Sequence, residues 1–92
     1  MPRIDLSRQA FAFLQELPAK QARQIAEKLK ALGDDPTTVN SESFKGYAPL
    51  RRLKSGEFRI IFAIEAQGIQ IRLIGKRNDD EIYKALARTW RK

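Results

Sequence analysis

The chain has no cysteine and no histidine among its 92 residues. Without cysteine it can form no disulfide and offers no thiolate to a metal ion. Without histidine it lacks both the commonest general acid–base and the commonest metal ligand. Chemistry that depends on either side chain is excluded, and we expect no metal and no small-molecule cofactor.

Long apolar runs are absent as well. No stretch approaches the roughly 18 apolar residues of a membrane-spanning helix, and the N-terminus has no signal-peptide core. The sequence therefore predicts a cytoplasmic protein with no membrane partner. The composition, 42% hydrophobic and 32% charged, is that of a folded protein, and the length predicts a single domain over residues 1–92.

The chain is rich in positive charge, with a net charge of +7. Taken alone, such a charge is compatible with any polyanionic partner, whether a nucleic acid, an anionic membrane surface or an acidic protein. The alternative is that the charge only keeps the chain soluble. The distribution of the charge along the chain helps to choose between these interpretations.

The first third of the chain predicts a strand followed by a helical hairpin. The alternating segment "PRIDLS" favours a strand, Ser7 is a suitable N-cap for the first helix, and Pro18 suits the first turn of the second helix. Apolar residues then recur at helical spacing up to "GDDP". The two stripes consist of Ala10, Phe11, Leu14 and Leu17, and of Ala22, Ile25, Ala26, Leu29 and Leu32.

The remainder predicts three strands and a last helix. The segment "PTTVNSESFKGYAP" has the composition of a polar loop. The segments "LRRLK", "FRIIFAI" and "IQIRLIG" favour strands joined by tight turns at "SGE" and "EAQG". "DDEIYKALARTWRK" favours a helix with acidic residues at its start. We therefore expect an α+β domain of order β-α-α-β-β-β-α, with a small, twisted, mostly antiparallel sheet against the helical hairpin.

The positive charge is concentrated in the strands. Between residues 45 and 77 only Glu57 and Glu65 are acidic, so eight basic residues less two acidic ones give +6 of the total +7. The eight are Lys45, Arg51, Arg52, Lys54, Arg59, Arg72, Lys76 and Arg77. Charged edge residues also serve to discourage aggregation of strands, but that role does not require arginine, whose planar fork suits phosphate oxygens.

Alternation along the strands predicts which of these side chains meet. Arg52 and Lys54 share one face of their strand with Leu50, and the "SGE" turn could bring Arg59 beside them. Arg77 ends the last strand, and Tyr83 lies about one turn into the following helix. We expect Arg77 to join the cationic group and Tyr83 either to contact it or to pack in the core.

At these residues the chain resembles a known family, the RelE branch of the RelE/ParE toxin superfamily. The likeness covers nearly the whole chain and is carried by "FKG", "LRRLKSGEFRIIFAI" and "IGKRNDDEIYK", above all by "SGEFRIIF" and by "GKR" with a tyrosine six residues after the arginine. Members of that branch are ribosome-dependent mRNA interferases of type II toxin–antitoxin systems.

The resemblance implies a function and roles for individual residues. It implies an endoribonuclease that cuts mRNA in the ribosomal A site and is neutralised by a cognate antitoxin. Arg59 and Arg77 match two phosphate-contacting arginines, Tyr83 matches a tyrosine that stacks on or positions the substrate, and Arg52 matches a catalytic lysine or arginine. Leu50 departs from the pattern, because that position often carries a lysine proposed as the base.

The chemistry that remains is compatible with these residues. RNA supplies its own nucleophile, the 2′-hydroxyl, and arginines can stabilise the charge of the phosphorane. Candidates for the general base are Lys54, which we prefer, Tyr83 or a carboxylate. The remaining basic residues of the strand region, Lys45, Arg51, Arg72 and Lys76, are predicted to bind RNA or the ribosome.

Two other functions stay open. The chain could inhibit DNA gyrase without cutting nucleic acid, as the ParE branch does, or it could bind RNA or the ribosome without chemistry. "GKR" followed by the spaced tyrosine argues against the gyrase inhibitor, and the binding module without chemistry stays open.

Overall fold

A computed structural model of the chain describes residues 3–35, 41–43, 49–77, 84 and 88. These residues form two helices and five strands in the order β-α-α-β-β-β-β. The elements are β1 (Arg3–Leu6), α1 (Arg8–Glu16), α2 (Ala19–Asp34), β2 (Ser41–Ser43), β3 (Arg51–Ser55), β4 (Phe58–Glu65) and β5 (Gly68–Lys76). None of the helices in the described part of the chain is long and apolar enough to cross a membrane.

The five strands form one sheet in the order β1-β5-β4-β3-β2. Strands β2 to β5 pair antiparallel, whereas β1 lies parallel to β5. The predicted α+β class and mostly antiparallel sheet are confirmed. The parallel pair arises because the helical hairpin carries the chain away from β1 before the antiparallel strands begin, and β5 then returns to its side.

One strand contradicts the sequence analysis. Ser41–Ser43 was predicted to be part of a polar loop, but it forms β2 and pairs antiparallel with β3. A three-residue edge strand needs no apolar face, so "SES" carries none of the alternation by which longer strands are recognised. The strand is fixed instead by its partner, because the Arg51 side chain donates to Ser41 Oγ at 2.9 Å and to Ser43 Oγ at 3.2 Å.

The N-terminal helix begins where the sequence predicts. Ser7 Oγ accepts a hydrogen bond from the Ala10 amide at 3.1 Å and so caps α1. The predicted apolar stripe is wrong at Phe11, which is 53% exposed. Phe13 packs on the sheet in its place, with its ring edge-on to Phe58 at 6.0 Å between centroids. Residues 10, 13, 14 and 17 follow the helical spacing, whereas residue 11 lies a quarter-turn away.

The second helix differs from expectation in two details. Pro18 lies just before the first helical residue rather than in the first turn, and its carbonyl accepts from the Ala22 amide at 3.0 Å. Ile25, Leu29 and Leu32 are buried against the sheet, but Ala26 is exposed because it lies a quarter-turn beyond Ile25.

The two predicted tight turns are present. The β3–β4 turn uses Gly56 at a φ of 59°, a conformation that favours glycine. The β4–β5 turn lies at Ala66 and Gln67. The predicted C-terminal helix falls outside the described residues, apart from Lys84 and Arg88, which are exposed and in helical backbone.

Beyond the end of β1, side chains take over the hydrogen bonding of β5. The register of β4 and β5 shifts between Ile61 and Phe62, opposite Arg72. Ser7 Oγ donates to the Arg72 carbonyl at 2.6 Å. The Gln9 amide then donates to the Ile74 carbonyl at 2.9 Å and accepts from the Ile74 amide at 3.0 Å, as another strand would. This clamp holds the part of β5 that leads to Arg77.

Candidate functional site

The sheet has one face against the helices and one face turned away from them. The helix face is apolar and contributes Leu53, Phe58, Ile60 and Phe62 to the main core. Alternation places Arg52, Lys54 and Arg59 on the opposite face. The two faces of β3 and β4 therefore have different chemistry.

The strand register brings the predicted cations together at the end of the sheet where β3 turns into β4. Lys54 lies directly opposite Arg59, and Arg59 lies opposite Gly75 on β5. Arg52 is two residues before Lys54 and shares its face. The expected neighbourhood of Arg59 with Lys54 and Arg52 is found in the structure. Gly75 has no side chain, so the strand beside Arg59 adds no bulk to this face.

Arg77 continues the same pattern. Its amide donates to the Glu57 carbonyl at 2.7 Å, which extends the β4–β5 ladder by one pair. Alternation with Gly75 then puts Arg77, which is exposed, on the Arg59 side of the sheet. We call Arg52, Lys54, Arg59 and Arg77 the cationic cluster.

The Arg59 side chain is anchored by the turn beside it. Its Nη1 donates to the Gly56 carbonyl at 3.0 Å and to the Phe58 carbonyl at 2.8 Å. These two bonds fix the plane of a half-buried guanidinium at the end of the sheet. A fixed fork loses less conformational entropy on binding a phosphate than a mobile one does.

A carboxylate also belongs to this site, and the sequence analysis missed it. Glu42 on β2 lies opposite Arg52. Its Oε2 accepts from Arg52 Nη2 at 2.7 Å, and its Oε1 lies 3.2 Å from Lys54 Nζ. The hydrogen bonds from Arg52 and then from Lys54 hold the pKa of Glu42 below its ordinary value. Four cations less this carboxylate leave a formal charge of +3.

Glu42 was missed for two reasons. It lies before the basic stretch that begins at Lys45, and the segment around it has the composition of a polar loop. Only the pairing of β2 with β3 brings this glutamate to Arg52, and "SES" gives no signal for that pairing.

Apolar side chains lie beside the cationic cluster. Leu50, Ile61, Ala63 and Leu73 are at most 8% exposed, yet they do not belong to the helix-side core. Ile61 lies opposite both Arg52 and Leu73 in the sheet register. Leu50, where the resemblance leads one to expect a lysine, is buried and belongs to this apolar group.

Three other predicted basic residues are not brought to the cluster. Arg51 faces the helix side opposite Phe62 and is held by β2, where it also donates to the Ser41 carbonyl at 3.0 Å. Lys76 lies opposite the core residue Phe58. Arg72 lies at the register shift, next to the N-cap Ser7. Their predicted contacts with RNA or the ribosome stay predictions.

Two predicted site residues, Lys45 and Tyr83, lie outside the described residues. Within the described ranges, no three histidine, cysteine, aspartate or glutamate side chains come together as metal ligands would. The groups that the described part of this site offers are guanidinium and ammonium donors and one carboxylate. Such a set suits the binding of an anion.

Sequence and structure comparisons show what the chain is similar to. The sequence model of one family, described as "ParE toxin of type II toxin-antitoxin system, parDE", matches residues 4–81. No curated protein has a sequence that matches this chain.

Among solved structures, the isolated E. coli RelE toxin has a TM-score of 0.72 at 16% identity, covering 96% of this chain and 97% of that one. RelE from the archaeal RelE–RelB complex of Pyrococcus horikoshii OT3 has a TM-score of 0.68 at 24% identity, covering 84% and 96%. A chain of the chromosomal ParDE system of P. aeruginosa has a TM-score of 0.66 at 20% identity, covering 83% and 96%. At these identities the likeness concerns the fold.

Proposed function

We propose that this chain, which belongs to the RelE/ParE superfamily of type II toxin–antitoxin toxins, is an endoribonuclease that cuts mRNA on the ribosome. The superfamily contains nucleases and gyrase inhibitors, so membership alone does not decide between them. The proposal therefore depends on the site.

The observation that carries the proposal is the direct opposition of Lys54 and Arg59 across two strands, with Arg52 and Arg77 on the same face. Like charges directly opposite each other destabilise a sheet. Such an arrangement is tolerable next to water and useful when an anion fills it. The fixed fork of Arg59 and the strand-end position of Arg77 suit the oxygens of one phosphate.

In the proposed reaction the 2′-oxygen of one nucleotide attacks the adjacent phosphorus. A base removes the 2′-hydroxyl proton, the bond from phosphorus to the 5′-oxygen breaks, and that oxygen takes up a proton. The products are a 2′,3′-cyclic phosphate and a 5′-hydroxyl. Arg59 and Arg77 stabilise the charge on the phosphorane oxygens, and each such donor contributes about 2.7–4 kcal/mol where one has been removed from an enzyme.

The roles of the other residues follow from their chemistry. Tyr83 is proposed to stack on a base and to position it. Lys54 donates to Glu42 in the structure, and as an ammonium ion it is suited to protonate the leaving 5′-oxygen. The base role that the sequence analysis preferred for Lys54 requires its neutral amine. Tyr83 and a carboxylate are the other candidates for the base.

The requirement for the ribosome has a physical reason. The proposed groups hold one phosphate and one base, but the RNA backbone between them must still adopt the conformation that brings the 2′-oxygen in line with the phosphorus. Such alignment contributes as much as roughly 7–11 kcal/mol to a reaction. An mRNA strand held in the A site arrives already ordered. We therefore expect free RNA to be cut poorly.

Gyrase inhibition is the second candidate, and it is favoured by the name of the matching family. The two functions separate in parallel assays of the purified protein. A nuclease shortens mRNA on programmed ribosomes and leaves the supercoiling activity of gyrase intact. Blocked supercoiling with intact mRNA would overturn our proposal in favour of the second candidate. Intact mRNA together with normal supercoiling would overturn both.

A cognate antitoxin is the expected partner of a type II toxin. We propose that it is acidic where it contacts this chain and that it covers the cationic cluster or displaces the C-terminal segment that carries Tyr83. Attraction between exposed charges is screened over about 8–10 Å at physiological ionic strength. The affinity of the complex should therefore fall as salt is raised, and an affinity that is insensitive to salt would show that apolar contacts dominate.

A further inference from the structure

We propose that Glu42 occupies a second phosphate-binding position of the cationic cluster, formed by Arg52 and Lys54, so that RNA has to displace this carboxylate in order to bind there. The inference rests on the proposed function, because it takes the ligand of the cluster to be an RNA phosphate. Glu42 would then act as an internal competitor that weakens binding of RNA that is not already held in place.

The geometry of Glu42 is that of a ligand bound by two cations. One carboxylate oxygen contacts Arg52 Nη2 at 2.7 Å and the other contacts Lys54 Nζ at 3.2 Å. Arg52 and Lys54 are two residues apart on one strand face, a separation of about 6.6–6.8 Å along the backbone. A phosphate presents oxygens to two such donors in the same way.

The contact is also one that a stronger ligand can open. The side chain of Glu42 is 52% exposed, and those of Arg52 and Lys54 are 30% and 54% exposed. Ion pairs at such exposure contribute little to stability. An RNA segment with several phosphates, held next to the cluster, can replace the single carboxylate of Glu42. The released carboxylate then contacts water and is not left unpaired in the protein interior.

The backbone around Glu42 is held in place from the other face of the sheet. Arg51 donates to Ser41 Oγ, Ser43 Oγ and the Ser41 carbonyl, so both neighbours of Glu42 are fixed. Arg51 is thus a positioning residue for the carboxylate. A tethered and positioned carboxylate has a high effective concentration at the cluster, which is the condition for effective competition with a free ligand.

The consequence concerns selectivity. Free RNA competes with Glu42 for each encounter, whereas ribosome-bound mRNA is presented at a local concentration comparable to that of the carboxylate. Glu42 therefore disfavours unheld RNA more than held mRNA. It supplies a reason in this chain's own residues for dependence on the ribosome.

Two substitutions test the inference with a readout other than cleavage. Binding of a short 2′-O-methylated RNA oligonucleotide, which cannot be cut, is measured by fluorescence anisotropy with thermal melts of each variant alongside. Glu42→Gln removes the competing charge, and we expect the oligonucleotide to bind about two- to fivefold more tightly. The matched control is Glu65→Gln, which changes the net charge equally at the opposite end of β4.

Glu42→Asp separates the effect of the contact with both cations from the effect of net charge. It keeps the charge but shortens the side chain by one methylene, so it cannot span both cations in the same geometry. We expect tighter oligonucleotide binding than the native chain, which a simple charge effect does not produce. Equal gains from Glu42→Gln and Glu65→Gln, with none from Glu42→Asp, would overturn the inference.

The remaining outcomes distinguish this inference from the proposed function. If Glu42→Gln leaves binding unchanged and abolishes cleavage of ribosome-bound mRNA, Glu42 is the general base and the competitor role is wrong. If the native chain cuts no mRNA but both Glu42 variants bind the oligonucleotide more tightly, the subsite stands and the nuclease proposal falls.

Discussion

The two faces of the sheet use the same residue types in different ways. Arg51 and Arg52 are neighbours on β3, but Arg51 faces the helix side and donates three hydrogen bonds to β2, while Arg52 faces the other side and pairs with Glu42. Arg51 therefore holds an edge strand, and Arg52 belongs to the cationic cluster. Net charge alone does not distinguish such a pair, whereas strand register does.

The apolar residues differ between the faces as well. On the helix side they form one continuous core with both helices. On the other side four buried apolar residues, Leu50, Ile61, Ala63 and Leu73, share the face of the sheet with the cations. The first arrangement stabilises the fold, and the second is suited to bind a polyanion.

The strongest test of this comparison removes a side chain from the middle of the helix face. Ile60 is fully buried in the core on β4. We expect Ile60→Ala to lower the free energy of unfolding by about 2–5 kcal/mol, because it leaves a cavity that the sheet cannot close. Urea denaturation measures this. The matched control Ile64→Ala, at a residue that is 48% exposed on the same strand, should cost far less, and equal losses would contradict the assignment of the core.

The reciprocal test removes a cation from the other face. We expect Arg77→Ala to lower the rate of mRNA cleavage on ribosomes by about 10²–10³-fold, the usual loss for one donor to a charged transition state. The unfolding midpoint should hardly change, since Arg77 is exposed and its hydrogen bond to the Glu57 carbonyl uses the backbone. Arg23→Ala on α2 is the control of equal charge. A fully active Arg77→Ala protein would remove this residue from the site.

A smaller effect is expected at the contact between α1 and β5, where Gln9 bonds to the backbone of Ile74. Gln9→Ala removes two hydrogen bonds to the Ile74 backbone, and we expect a loss of about 1–2 kcal/mol in the free energy of unfolding. Hydrogen exchange at Ile74 should speed up in particular, because its amide loses its acceptor. Gln15→Ala, an exposed change on the same helix, controls for the gain in helix propensity. An unchanged exchange rate at Ile74 would show that the hydrogen bonds from Gln9 do not protect this amide.

Much of this architecture follows from the sequence because it depends on local periodicity. The helical hairpin, the Ser7 cap and the three long strands each have a period or a turn signal of their own. Alternation also placed Arg59 beside Lys54. β2 and Glu42 could not be predicted, because a three-residue polar strand is defined only by the strand it pairs with. The position of Phe11 was wrong because apolar character does not indicate which side of a short helix faces the sheet.

The Gln9 clamp was equally out of reach from sequence. It joins residues 65 positions apart, and a glutamine near the start of a helix is ordinarily a surface residue. Its role arises because β1 ends before β5 does, which leaves backbone groups of β5 to be satisfied by a side chain. Long-range complementarity of this kind depends on the lengths of two elements at once.

The smallest expected effect is a shift in the pKa of Glu42, which lies on β2 beside the cationic cluster. The hydrogen bonds from Arg52 and then from Lys54, followed by the charge of Lys54, lower the pKa of Glu42 in the folded chain. NMR titration should therefore find the Glu42 carboxyl titrating below an ordinary glutamate. Arg52→Gln and Lys54→Gln should each raise its pKa, because each removes a hydrogen bond to the carboxylate and a positive charge beside it. A folded-state pKa below the unfolded one means that the pair stabilises the fold above the ordinary glutamate pKa, and that this stabilisation is lost as pH falls through the lowered value. The loss should be slight, because the carboxylate is exposed.

An unshifted pKa, or one unaffected by Arg52→Gln, would show that the contact of Glu42 with both cations does not persist in solution. Glu42 would then have no advantage over any other surface carboxylate in competing with RNA.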